Sequence, residues 1–306
     1  MNLSIPFCNI DFPNPLTVAS GYLGVTGASM INCVRRGAGS VTSKTVFMEP
    51  RMGHPNPTVL TYEGGIINAV GLSGEGIHQA SGEIAVYKKG CENPLIGSVG
   101  GKTAGEYAEV ARLMDAAGAD IIEANISCPN VEDEMGRPFA CDPKATAEVT
   151  KAVRRATKKP ITVKLSPNVA NIGLIAQAAE AAGADAITAI NTLGPGMLID
   201  IRLRKPLLHN KVGGVSGPGI KPIAVKCVYD IKKAVKIPII GVGGVTTGED
   251  VIELMMAGAS LVALGSALIY RDLEAFDLCL EEMRKFCRQE NIDDINDIIG
   301  AAHEGN

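Results

Sequence analysis

Cys128 stands in the run Asn125-Ile126-Ser127-Cys128-Pro129-Asn130, directly after an apolar stretch. A cysteine is more often a small buried hydrophobe than a reagent, and that plain reading suits Cys33, Cys227 and Cys279. It suits Cys128 poorly, because the surroundings are polar and rich in asparagine. A thiol here can act as a nucleophile or a general base once it is a thiolate. Lys44 and Lys164 each close a mostly apolar run. A solvated lysine beside a helix cap is the alternative, but two lysines at such positions suit an anionic cofactor and an anionic substrate. Glycines at Gly243-Gly244 and Gly265-Ser266 let backbone N–H groups approach phosphate oxygens, with helix N-termini adding favourable dipoles. Either pair alone would serve equally well as a tight turn. Asn68, Asn125, Asn130 and Asn191 complete the set. Asparagine favours turns, yet four amides in one set of loops suit a heterocycle with alternating N–H and C=O groups, because an amide both donates and accepts.

These residues need elements to hold them together. Short β-branched runs alternate with Ala-rich helical stretches, and the pattern predicts eight strands at 16–20, 39–43, 94–99, 120–125, 160–165, 186–190, 237–241 and 260–264. Most are continuous apolar runs, as buried parallel strands are. Pro94, Pro160 and Pro238 sit at strand entrances. Thr103 and Glu106 have capping-box spacing, and Asp142-Pro143 reads as an N-cap with a first-turn proline. Ala-Gly-Ala recurs at 117–119, 182–184 and 257–259, each copy closing a helix with a left-handed glycine. Eight βα units predict a (β/α)8 TIM barrel in one domain, residues 1–306. The chemical residues then fall at the C-terminal strand ends, where such barrels build active sites. Two long connections, about 44–74 and 192–218, are rich in Gly, Pro and Asn and are read as loops.

Composition excludes several classes. Of the 306 residues 46% are hydrophobic and only 4% aromatic, which allows a large, tightly packed core. A net charge of −4 without a basic block argues against nucleic acid and anionic membranes. No run reads as a membrane span or signal core, so a cytoplasmic protein is expected. The eight cysteines form no C-x-x-C pair, and no metal or iron–sulfur motif is found, so free thiols are expected. Gly101-Lys102-Thr103 lacks the upstream P-loop glycine, since Ile96 stands there. Gly241-Val242-Gly243 meets Thr246 where a dinucleotide fingerprint needs glycine.

The segments NISCPN (125–130), NAVGL (68–72), VKLSP (163–167), Asn191-Thr192, GGVSGP (213–218) and GVGG (241–244) together resemble dihydroorotate dehydrogenases over nearly the whole chain. Cysteine at position 128 resembles the soluble class 1 enzymes, and the stretch 190–218 is similar to the NAD-linked 1B subfamily, with an archaeal cast. The resemblance implies oxidation of dihydroorotate to orotate in pyrimidine biosynthesis, with Cys128 as the base at C5. It places Lys44, Asn68, Ala69, Val70, Gly71, Leu72, Asn125, Asn130, Asn191 and Thr192 around the substrate. It assigns FMN to Ser20, Lys44, Thr45, Asn125, Lys164, Ile190, Gly217, Gly243, Gly244, Gly265 and Ser266. It further implies a homodimer of catalytic chains joined to a partner subunit that carries FAD and a 2Fe–2S cluster and passes electrons to NAD. One departure is Ser98, where bacterial 1B relatives often carry Asn, so no flavin contact is assigned there. The rival readings are a dihydropyrimidine dehydrogenase flavin domain, a flavin-free barrel isomerase or lyase, and a non-catalytic flavin scaffold. Asn130 speaks against the first, and Cys128 with Lys44 against the last.

Overall fold

A computed structural model of the chain describes residues 1–127 and 139–303; Cys128 and Asn130 lie outside the described residues. Eight parallel strands close into a barrel: β1 (Leu16–Val18), β2 (Ser40–Thr42), β3 (Leu95–Val99), β4 (Ile121–Asn125), β5 (Ile161–Leu165), β6 (Ala186–Ala189), β7 (Ile239–Val242) and β8 (Leu261–Leu264). Their order around the barrel follows the chain, with β8 pairing back onto β1. All eight expected strands are present, seven of them with trimmed ends, while β7 begins two residues later and ends one residue later than expected. The helices described around it are α1 (Gly27–Arg35), α2 (Gly76–Gly90), α3 (Ala104–Ala116), α4 (Pro143–Ala156), α5 (Ile172–Ala181), α6 (Lys221–Ala234), α7 (Gly248–Met256), α8 (Ala267–Tyr270) and α9 (Glu274–Gln289).

Local chemistry sets the helix ends. Asp142 accepts the Lys144 N–H at 2.8 Å with Pro143 in the first turn of α4. Thr103 caps α3 through the Glu106 N–H at 3.1 Å, but Glu106 reaches the Lys102 N–H at 2.8 Å, so the reciprocal bond falls one residue earlier than a capping box has it. Gly118, Gly183 and Gly258 adopt φ of +103°, +101° and +123°, which lets each chain leave its helix and enter the next strand.

The barrel interior is more polar than the usual layers of Val, Ile and Leu. Thr17, Ser40, Thr42, Ser98, Glu123, Asn125, Thr162, Lys164 and Thr188 are all buried on barrel strands. Alternation puts residues 121, 123 and 125 of β4 on one face. Thr162 and Thr188 meet across β5 and β6 at 2.8 Å. The apolar alternates pack outward against the helices and form the main core. At the N-terminal end a hairpin, Ile5–Phe7 with Ile10–Phe12, buries Phe7 and Phe12 edge to face, and the Cys8 thiol donates to the Asp185 carbonyl at the entrance of β6.

The two long connections are not plain loops. They pair into a four-stranded antiparallel sheet, in the order Leu193–Gly196, Gly213–Ser216, Gly65–Asn68 and Val59–Tyr62. The central register sets Gly214 opposite Asn68 and Ser216 opposite Ile66. Ile67, Ala69 and Leu208 give this cap a small core of its own. Val59–Tyr62 and Gly65–Asn68 form a local hairpin, but the sheet is joined through Gly213–Ser216, a short glycine-rich strand whose partner at 65–68 lies far away in sequence.

Candidate active site

The strand ends and the cap enclose a cavity of about 250 Å3. Ser20, Lys44, Thr45, Asn68, Val70, Gly71, Leu72, Asn125, Lys164, Ile190, Asn191, Thr192, Gly243, Gly244, Gly265 and Ser266 all line it. The structure thus brings together nearly every residue singled out from the sequence. Two described ones stand aside. Ala69 is buried in the small core of the cap, and its carbonyl takes a hydrogen bond with His54 Nδ1 at 3.1 Å. Gly217 does not line the cavity, while its neighbour Ser216 does. Sequence reasoning missed Ser216, Tyr22, Ile220 and Ile269 as lining residues. Ser216 sits within the quoted GGVSGP run and Tyr22 follows Ser20-Gly21, so both were within reach. Ile220 and Ile269 carry no local signal.

Lys164 is 5% exposed, and its Nζ donates to Ser20 Oγ at 2.9 Å. Lys44 is half-buried with its Nζ 3.2 Å from Ser73 Oγ, and burial pushes its pKa below the ordinary lysine value. Among the described residues neither lysine pairs with a carboxylate. Two such cations in one cavity favour an anionic occupant.

Asn125 Nδ2 donates to Thr45 Oγ1 at 2.8 Å, and its Oδ1 accepts from Ser127 Oγ at 2.9 Å. Asn191 Nδ2 donates to Ser127 Oγ at 2.7 Å, and its Oδ1 accepts the Thr192 N–H at 2.8 Å. Asn68 Nδ2 reaches the Gly214 carbonyl at 3.5 Å, tying one cap strand to the next. Positive φ at Gly71 (+75°) and Leu72 (+56°) turns the segment 68–72 toward the cavity.

The glycine turns after β7 and β8 suit close backbone approach. Gly243 and Gly244 have φ of +131° and +78°, and a Cβ on Gly244 would lie 2.5 Å from Lys221 Cα. Asp250 locks this turn by accepting from the Thr246 and Thr247 N–H groups at 2.8 and 2.9 Å and from Lys221 Nζ at 2.7 Å. Thr247 and Asp250 close the first turn of α7 as a capping box, and α8, which follows Gly265-Ser266, is four residues long. Glycine backbone, two cations and a largely apolar wall fit a flat, phosphorylated aromatic cofactor.

The other cysteines fall in line with structural roles. Cys8, Cys33, Cys91, Cys227, Cys279 and Cys287 are free thiols. Burial pushes Cys33 up to about 11 and Cys279 up to about 12, so neither supplies a thiolate near neutrality. Cys227 is only half-buried, less enclosed than expected, yet burial raises it to about 11 as well. No described helix is long and apolar enough to cross a membrane.

Residues 2–287 match the family model for dihydroorotate dehydrogenase. The chain is 44% identical over 305 residues to the dihydroorotate dehydrogenase B (NAD(+)) catalytic subunit of Methanocaldococcus jannaschii, covering 99% of this chain and 98% of that one. It is 42% identical over 302 residues to the protein of the same description from Methanothermobacter thermautotrophicus, covering 99% of each. A solved structure of DHODH in complex with ferulenol from Eimeria tenella superposes with a TM-score of 0.85 over 99% of this chain and 89% of that one; at 23% identity it shows the fold. With barrel, cavity and full-length sequence in agreement, this chain belongs to the dihydroorotate dehydrogenase family, among relatives that are NAD(+)-linked B catalytic subunits.

Proposed function

We propose that this chain oxidises dihydroorotate to orotate in pyrimidine biosynthesis, with FMN held at the barrel mouth. The observation that carries the reading is the convergence of Lys44, Lys164 and the Gly243-Gly244 and Gly265-Ser266 turns on one cavity. FMN, when bound, supplies the two-electron acceptor for the C6 hydride. Cys128, the residue after Ser127, takes the C5 proton. Lys44 neutralises the substrate carboxylate, whose burial needs a cationic partner. Lys164 would supply a fixed positive charge beside the flavin ring. The glycine backbones receive the phosphate, and Asn68, Asn125, Asn130 and Asn191 bind the polar edge of the pyrimidine.

The electrons leave through a partner subunit with FAD and a 2Fe–2S cluster, in a complex of two catalytic and two electron-transfer chains, and reach NAD in the cytoplasm. The NAD(+)-linked catalytic-subunit description of the relatives and the lack of a dinucleotide fingerprint in this sequence support a separate partner and the NAD link; the partner's cofactors and the stoichiometry are what the family resemblance implies. The test is direct. The purified chain should be yellow and should bleach when dihydroorotate is added without air. It should reduce an artificial dye but reduce NAD poorly until the partner is added. Colourless protein that FMN cannot reconstitute would sink the functional reading. Rapid NAD or fumarate reduction by the chain alone would sink the partner requirement.

A further inference from the structure

Glu123 lies in the middle of β4, 2% exposed, on the strand face that also carries Asn125. Among the described residues it forms no ion pair, and it accepts one hydrogen bond, from Ser98 Oγ at 2.8 Å. A carboxylate only accepts, and each hydroxyl has one proton to give. With Glu123 ionised, those two rules set the direction of the bonds that follow, and the Ser127 and Thr192 N–H groups on the two amide oxygens agree with it. Ser98 spends its proton on Glu123, so Thr45 must donate to Ser98 across their 3.0 Å contact. Thr45 has then spent its proton, so Asn125 must turn its NH2 toward Thr45, at 2.8 Å. The Asn125 carbonyl is thereby aimed at Ser127, whose hydroxyl donates to it at 2.9 Å. Ser127 in turn can only accept, and Asn191 turns its NH2 onto it at 2.7 Å. Side chains from β3, β4 and the ends of β2, β4 and β6 thus form one relay with all donors pointing toward Glu123.

We propose that Glu123 is a positioning residue that sets the hydrogen-bond polarity of the substrate site. The relay uses one N–H of each amide nitrogen and engages each amide oxygen, at Ser127 for Asn125 and at the Thr192 N–H for Asn191. Each amide keeps a second N–H for the cavity that both residues line. The wall therefore offers donors at these two places and selects ligands that present carbonyl or carboxylate oxygens there. Reversing the relay would set Asn125 and Asn191 against the Ser127 and Thr192 N–H groups that their oxygens accept, and so mispair both amides. Ser127 also precedes Cys128 in the chain, so the relay ends beside the segment that carries the proposed base.

This inference rests on the proposed substrate, and its test separates the two. In FMN-loaded protein, Glu123→Gln keeps the shape but permits either polarity. It should retain flavin and weaken orotate binding, read from the flavin spectrum, by roughly ten- to a hundredfold, the loss expected for one or two mispaired amides. KM should rise more than kcat falls. Ser98→Ala cuts the relay one residue away and should cause a similar loss. In the Ser98→Ala background Glu123→Gln should add little, because groups acting through one network are non-additive. Unchanged orotate affinity in Ser98→Ala, or fully additive losses, would overturn the proposal, including where Glu123→Gln fails to fold. Side-chain amide resonances of Asn125 and Asn191 under selective 15N-Asn labelling read the relay without substrate. They should shift in ligand-free Ser98→Ala; if they stay fixed, the relay does not set their orientation, whatever the enzyme oxidises. If instead they shift while the wild type neither binds orotate nor bleaches, the substrate assignment fails and the relay stands.

Discussion

Replacing Gly244 by alanine is the sharpest perturbation of the cofactor cradle. Gly244 sits at φ +78°, where a β-carbon costs about 1–2 kcal/mol. The added Cβ would also lie 2.5 Å from Lys221 Cα and 2.6 Å from Lys221 N, contacts with backbone rather than with a movable side-chain tip. Lys221 cannot simply yield, because it opens α6 and its Nζ is held by Asp250 at 2.7 Å and Glu253 at 2.8 Å. Overpacking of this kind costs about 1–3 kcal/mol. The two effects together predict a loss of about 2–5 kcal/mol, or about 3–8 °C in Tm for a chain of this size. The turn can relieve the clash only by moving its own N–H groups, so FMN affinity should fall by about tenfold or more. Thermal melts of the FMN-free protein and a fluorescence titration with FMN measure the two effects separately. Gly265→Ala is the control, since its Cβ meets only Ala19 Cβ at 3.4 Å. It should melt close to the wild type, so any flavin loss there reports ligand approach and not strain. A Gly244→Ala protein with wild-type Tm and wild-type FMN affinity would refute the reasoning.

Cys128→Ser should bind orotate normally but reduce FMN at least a hundredfold more slowly, because a hydroxyl is a far weaker acid than a thiol titrating near ~8.5; in the parent, stopped-flow reduction should accelerate with pH until the thiolate is populated. Lys44→Ala should weaken orotate by about tenfold or more and an uncharged analogue much less, with equal losses arguing that Lys44 acts only through FMN. Burial lowers the Lys44 pKa, so its charged form disfavours the empty fold; FMN-free protein should gain stability as pH rises through that pKa, and Lys44→Met should remove this gain in pH-dependent melts. Burial alone would raise Asp250, but hydrogen bonds from Lys221, Thr246 and Thr247 hold it at about 2 against an ordinary 3.8. Its folded pKa is the lower one, so about 2 kcal/mol of stability is present above pH 4 and lost as pH falls toward 2; Asp250→Asn should flatten that acid limb in urea titrations.

Much of the molecule is local in origin and was legible in the chain. Each βα unit carries its own punctuation, such as Asp142-Pro143 at a helix start and Gly118, Gly183 and Gly258 at helix ends, because caps and left-handed turns depend on a few neighbouring residues. Lys44, Lys164 and the glycine pairs stand out for a similar reason: polar residues at the ends of apolar strands have only the barrel mouth to face. Other features exist only once the barrel closes. Strands at 65–68 and 213–216 find each other across the fold, and nothing in either short, glycine-rich run encodes a partner so distant. Only the fold shows that the Ala69 side chain packs with Ile67 and Leu208 in the core of the cap. Glu123 shows the limit most clearly. In sequence it is one charged residue inside an apolar strand. Only the closed barrel sets it against Ser98, at the end of a hydrogen-bonded run through Thr45 and Asn125.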